Sequence, residues 1–273
     1  MNNYRFIFLF LALAIVSSCI QKHDRKPLPD DFDTYPLEIK ALFLAYRDSF
    51  IGFSNDTLYL KGGETLPFGQ SSESDSHLKR LDSTTIKDMF HHVYPLGGLA
   101  EPPYLFDPGR YRNDALFKAM YGHSEKEVKS LLKDVNVFGT RMPFSTVNGA
   151  ADSLRLVISE IRREHPDMIK CFTEPGTFYW RPVRGAQRMS AHSYGIAIDM
   201  GYGYSDYWLS GNWKATELDT VVYKNRIPQE IITIFEKHGF ISGARWYHYD
   251  TMHFEFRPEM IYYSKLSESN NKD

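Results

Sequence analysis

Residues 190–199 read Ser190-Ala191-His192-Ser193-Tyr194-Gly195-Ile196-Ala197-Ile198-Asp199. The second half is apolar and partly β-branched, as in a buried strand. Yet the stretch opens on an imidazole and closes on a carboxylate, groups that are costly in a core unless partnered. His192 and Asp199 are seven apart, which puts them on opposite faces of an ideal strand. A strand alone cannot aim both at one point. Ser193-Tyr194-Gly195 reads as a turn, so His192 belongs on a loop and Asp199 at the far end of a strand over 196–200. A surface histidine and a capping aspartate would show the same spacing, so the pair needs a second piece.

That piece is Trp246-Tyr247-His248-Tyr249-Asp250-Thr251-Met252-His253-Phe254-Glu255. Asp250 and His253 flank the start of an apolar strand over 252–257. Their spacing of three also breaks strand parity, so Asp250 belongs on the turn before the strand. The two pieces together offer two histidines, an aspartate and one spare carboxylate. Catalytic zinc takes three protein ligands and a water. It brings the pKa of that water toward 7 and polarises a carbonyl. A carboxylate off the metal can accept the water's proton and pass it to a leaving amine.

Working outward, the chain of 273 residues is 42% hydrophobic and 24% charged, with a net charge of −2. Those are ordinary globular values, and no basic face for nucleic acid is indicated. Arg5 precedes an apolar run, Phe6 to Val16, too short for a bilayer, which takes about 20 residues. A secretory signal fits this pattern. Its end, Val16-Ser17-Ser18-Cys19, resembles a bacterial lipobox. The implied organisation is a signal peptide over 1–18, a lipid on Cys19 and a polar tether over 19–35. The protein would then be membrane-anchored in the cell envelope, facing the periplasm or cell wall. The other cysteine, Cys171, lies in an apolar stretch and is expected to be buried, with no disulfide framework.

A helix is expected over 36–50, with Ile39, Leu42 and Tyr46 on one side. Thr57 to Leu60 alternates as a strand before Gly62-Gly63, and 69–76 is a polar loop. Short helices are expected at 86–92 and 112–121. Ser124 and Glu127 form a capping box opening a third helix through Leu132. The longest helix spans 148–164, with Ala151, Leu154, Val157, Ile158 and Ile161 on one face. From Met168 the pattern changes to strand candidates at 168–172, 196–200 and 252–257, with a helix from Pro228 to Lys237. The fold class is α+β. One domain, 36–265, has a helical part (36–166) followed by a part with a small antiparallel sheet carrying the metal site (167–265). Residues 266–273 are expected to be a disordered tail.

The order Ser190-x-His192-x-x-Gly195-x-Ala197-x-Asp199, then Asp250-x-x-His253, resembles the signature of the zinc D-Ala-D-Ala carboxypeptidase family. That family includes vancomycin-resistance D,D-carboxypeptidases and phage L-Ala-D-Glu endopeptidases, and shares its fold with hedgehog signalling domains. The resemblance runs from about Asp107 to Phe256 and is strongest over 179–200 and 246–256. It implies zinc (Zn2+) held by His192, Asp199 and His253, Asp250 as general base, and peptidoglycan stem peptides as substrates. Many members carry Glu at the base position, and the Asp here resembles the endopeptidase-like branch. Phe178-Tyr179-Trp180-Arg181 and Gln187-Arg188-Met189-Ser190 resemble family segments before the first ligand. Arg181, then Arg188, are therefore candidates for the oxyanion or a substrate carboxylate, which an Arg fork matches in two bonds.

Ser190, Tyr194 and Trp246 are candidates for substrate contact. Glu255 shares the face of His253 and is placed behind that ligand. His248 is expected to be half-exposed or to orient Asp250. Asp107-Pro108-Gly109-Arg110 is expected to brace the helical half, and the Tyr- and Trp-rich segment 201–220 to form a cleft wall. The alternative to an enzyme is a lipoprotein of this fold that binds metal or peptidoglycan without turnover.

Overall fold

Helical periodicity at the start of the body closes on itself: Ile39 and Leu42 of α1 (Leu37–Ala45), and Tyr46 just after it, are all buried. The computed structural model describes residues 26–72 and 74–270. Cys19 and the expected signal lie outside them. The expected tether joins the body before its predicted end, since Tyr35 is buried in the core and Leu28 and Phe32 pack against it.

The half expected to be helical contains two of the three sheets. β1 (Phe50–Ser54), β2 (Thr57–Leu60) and β3 (Thr65–Pro67) form an antiparallel meander. Its first turn is Asn55-Asp56, with φ of 48° and 55°, the left-handed pair that a two-residue hairpin requires. α2 (His77–Asp82) is capped by Ser76. The helix expected over 86–92 is a single 3-10 turn, Asp88–Phe90. α3 (Asp114–Tyr121) starts where Asn113 accepts a hydrogen bond from the Leu116 amide at 2.9 Å. The capping box opens α4 (Glu125–Ser130), but Leu132 begins a strand instead of ending a helix. β4 (Leu132–Val137) pairs with β5 (Thr140–Ser145) across another left-handed pair, Phe138-Gly139.

α5 (Ala150–Glu164) buries the five residues assigned to its apolar face. Each large aliphatic residue there contributes roughly 1.5–3 kcal/mol by leaving water. The strand expected over 168–172 is a 3-10 helix, Pro166–Cys171, that buries Cys171. A short apolar run has no period that separates the two outcomes.

The third sheet has the order β6-β8-β7, all antiparallel. β6 is Ala197–Asp199, β7 is Phe240–Ser242 and β8 is His253–Phe256, with α6 (Gln229–Lys237) preceding β7. Alternation along the central strand β8 divides its work. Phe254 stacks on Phe235 of α6 with centroids 4.0 Å apart, and Phe256 meets Phe240. His253 and Glu255 take the opposite face. α7 (Pro258–Asn270) packs on α1. It runs through most of the stretch expected to be a tail, and Leu266 packs against the core. Among the described residues no helix is long and apolar enough to cross a membrane.

Candidate metal centre and catalytic site

The parity problem of His192 and Asp199 is solved by a change of backbone between them. Ser190 caps a 3-10 turn, Ala191–Tyr194, by accepting from the His192 amide at 3.4 Å. Gly195 then takes φ of 64°, a left-handed conformation open to glycine without strain. The chain straightens into β6, where Asp199 pairs directly opposite His253. Opposed residues of antiparallel strands share a face. Ser193 keeps the preceding loop in place through Oγ, which accepts from the Arg181 amide at 2.9 Å.

Partner chemistry fixes both imidazoles. His192 Nδ1 meets the Thr177 carbonyl, which can only accept, so Nδ1 carries the proton and Nε2 offers a lone pair. His253 Nε2 lies 3.2 Å from Glu255 Oε2, so Nδ1 is the nitrogen left to face a metal. These two nitrogens are 3.2 Å apart, and Asp199 Oδ1 lies 3.1 Å and 3.0 Å from them. Three electron pairs thus converge on one point, an arrangement that asks for a cation. Tetrahedral zinc at 2.0–2.1 Å from each donor would set such edges at about 3.3 Å, so the residues fit it.

The electrostatics favour positive charge at this point. Burial alone would lower the pKa of His253, but Asp199 and Glu255 outweigh it and lift it to about 10, so a metal bound there would take the place of a proton on Nδ1. Burial would raise Asp199, yet His192 and His253 hold it well below the usual carboxylate range. Behind the centre, Glu255 is fully buried and accepts from Arg112 Nη1 and Arg257 Nη1, each at 2.9 Å. Glu255 thereby stays ionised behind His253, and such partners orient metal-binding imidazoles.

Asp250 stands on the turn before β8. Its Oδ1 is buried with no hydrogen-bond partner among the described residues. Burial, then the charge of Asp199, raises its pKa to about 6. Its backbone is held by a bond from its amide to the Gly243 carbonyl at 3.1 Å and by a bridge to Tyr207. Gly243 leaves no room for a side chain, since a Cβ there would lie 2.2 Å from the Asp250 carbonyl oxygen. Gly243→Ala must therefore displace the Asp250 backbone. A shift of about 1 Å can cost a hundredfold in turnover, and that loss, with metal content unchanged, is the expected result of steady-state kinetics with metal analysis.

The other expected site residues divide. Arg181 is exposed, with its guanidinium 5.8 Å from the Tyr179 ring centre, and its charge is felt by Asp250. Arg188 is half-buried with no hydrogen-bond partner for Nε among the described residues, and burial, then Arg112 and Arg110, lowers its pKa to about 10. Such a crowded cation suits an incoming anion. Ser190 is spent on the turn that holds His192. Tyr194 is not at a substrate surface: it is buried against Phe117 and Tyr121. Trp246 is also buried, with Nε1 donating to the Pro108 carbonyl at 2.7 Å, and its ring backs His253 with centroids 5.5 Å apart.

His248 is neither half-exposed nor bonded to Asp250. It is fully buried, with Nδ1 2.6 Å from Asp107 Oδ2 and its amide donating to Asp107 Oδ1 at 3.0 Å. The segment 107–110 thus braces the loop that carries Asp250. Arg110 extends the brace to Glu217 of the wall, which also meets His77 at 3.2 Å. Neither His77 nor Glu217 stands out in the sequence, because each lies in a polar loop or short helix without a motif.

Burial would raise Asp107 and Glu217, but Arg110 outweighs it and holds both carboxyls below their usual range. Their stabilisation is therefore present above the unfolded carboxylate pKa, about 4, and is lost as pH falls below it. Asp107→Asn is expected to be less stable at pH 7 and to lose less further stability between about pH 4 and 2 than the unaltered protein. Denaturant unfolding across that range checks this.

Comparison with known proteins bears on the same half of the chain. No curated protein and no solved structure matches it. Residues 184–256 match the family model described as D-alanyl-D-alanine carboxypeptidase, a span that holds His192, Asp199, Asp250, His253 and Arg188 but excludes Arg181 and 107–110. The match covers roughly a quarter of the chain, and in that quarter the chain is similar to a peptidase of the D-alanyl-D-alanine carboxypeptidase type.

Proposed function

We propose that the protein is a zinc peptidase of peptidoglycan stem peptides, acting as a D,D-carboxypeptidase or an L-Ala-D-Glu-type endopeptidase. The observation that carries this reading is one geometry. Three donor atoms of His192, Asp199 and His253 lie 3.0–3.2 Å from one another, beside a buried carboxylate oxygen that no group among the described residues satisfies.

Zinc bound there would activate a water and polarise the scissile carbonyl. The protein's residues do the rest. Asp250, with its pKa raised to about 6, is tuned to accept a proton from the attacking water and return it to the leaving amine near neutrality. Arg188 is the residue we assign to a substrate carboxylate. Arg181, whose charge reaches Asp250, is assigned to the developing oxyanion. Glu255, Thr177 and Asp107 hold the reacting groups in register. The lipobox-like Cys19 supports anchoring in the cell envelope, where such peptides are found.

The test is digestion of purified muropeptides, with and without a chelator, read by mass spectrometry. Release of terminal D-Ala identifies the carboxypeptidase, and cleavage after L-Ala identifies the endopeptidase. Cleavage that survives zinc removal would overturn the mechanism. Zinc and peptide binding without any cleavage would identify a binding lipoprotein.

A further inference from the structure

The cluster of His77, Asp107, Arg110, Glu217 and His248 lies outside the proposed metal centre, and the proposed chemistry uses only Asp107 of it, as a brace. Its parts come from α2, the 107–110 segment, the wall and the loop before Asp250. The ligand atoms of its two histidines and two carboxylates all lie within 4.8 Å of one another, the spread of a metal centre. Arg110, however, fills the cation's place. Its Nη1 is 2.8 Å from Asp107 Oδ2 and 2.9 Å from Glu217 Oε2, and its Nη2 is 2.8 Å from Glu217 Oε1. A bidentate guanidinium of this kind fixes geometry as well as charge.

We propose that Glu217 is a positioning residue that latches the wall, 201–220, onto the loop carrying Asp250, and so sets selectivity for peptides long enough to reach the wall. This rests on the proposed peptidase function. The latch works through shared parts. Asp107 grips both Arg110 and His248, two residues from Asp250. The His248 ring is stacked on His77, centroids 5.5 Å apart, and meets the edge of Trp208 of the wall at 4.6 Å. Trp208 in turn donates its amide to the Tyr249 carbonyl at 2.9 Å. Beyond this seated part the wall projects Trp213, 58% exposed, under the guanidinium of Arg184 at 4.7 Å. This is an aromatic and cationic surface suited to an acidic peptide. Glu217 follows that tip by four residues, so its bond to Arg110 fixes where the tip stands.

The test compares Glu217→Gln, Glu217→Asp and, as a control, Glu64→Gln, whose carboxylate is exposed and paired with His123. Glu217→Gln should speed hydrogen exchange of the 208–216 amides at least tenfold. It should raise KM for a stem pentapeptide at least tenfold while kcat changes less than twofold. Glu217→Asp should recover most of both effects, and Glu64→Gln should change neither. Unaltered exchange, or a loss confined to kcat, would overturn the proposal. So would a second zinc ion per chain that Glu217→Gln removes, which would make the cluster a metal site. If the unaltered protein cleaves no stem peptide, the peptidase reading fails on its own, and the exchange measurement still decides whether Glu217 seats the wall.

Discussion

Asp250→Ala is expected to lower turnover at least about 10³-fold while the protein keeps its full complement of zinc. A positioned general base contributes roughly 10²–10⁴-fold, and the neighbouring carboxylate, Asp199, is committed to His192 and His253. Metal retention follows from the geometry. Asp250 lies outside the triangle formed by His192, Asp199 and His253, so its loss removes no donor from that triangle. Its loss also removes a buried like charge from beside Asp199, the pairing that, after burial, raises its own pKa. The variant should therefore fold at least as stably as the parent, and Asp250→Asn should behave alike. Kinetics, metal analysis and thermal unfolding on the same preparations separate the cases. Activity within tenfold of the parent would mean that another group is the base, and loss of zinc would make Asp250 a ligand.

The four residues of the proposed centre stand out in the sequence through two clues together. A carboxylate ending a strand, a histidine before a glycine turn and an aspartate three before a strand histidine are each ambiguous alone, and the resemblance of the two stretches, in order, to a family signature assigns their roles. What the sequence did not reveal depends on distant neighbours. Tyr194 and Trp246 are amphipathic and sit beside metal-centre residues, so nothing local separates a substrate surface from a core. Phe117, Tyr121 and the Pro108 carbonyl decide it. From the sequence His248 reads as half-exposed or as orienting Asp250, because its partner, Asp107, is 141 residues away.

Of the sheets in the first half the sequence predicts only β2, Thr57–Leu60, and the other strands escape it for a different reason. Their turns use Asn55-Asp56 and Phe138-Gly139 in left-handed conformations, and only the first of these contains two residues that favour it. β4 also follows α4 after a single intervening residue, so an apolar strand start reads as the last turn of a helix. The metal-site half fared better because alternation along β8 separates its core face from its reactive face, and that period survives in the sequence.

His253→Ala and Glu255→Gln are expected to fail in different ways, and the difference tests how the centre is held. His253→Ala removes one of three donors, leaving His192 and Asp199, too few for the closed set on which catalytic zinc depends. The variant should be isolated without zinc and without activity. It should still fold, because Glu255 keeps Arg112 and Arg257, and Phe254 and Phe256 keep the apolar face of β8. Glu255→Gln leaves all three donors present but removes the charge that orders His253. Loss of such a partner weakens metal binding by about 10–100-fold. It also leaves the buried Arg112 without its carboxylate and Arg257 with Glu259 alone, and breaking a buried pair in this way costs about 3–5 kcal/mol. Glu255→Gln should thus be the less stable protein and the better metal binder of the two, as read by denaturant unfolding and competitive zinc titration. Stoichiometric zinc in His253→Ala would remove His253 from the ligand set. Full stability of Glu255→Gln would mean that Glu259, which also meets Arg257, is enough to hold that end of the network without Glu255.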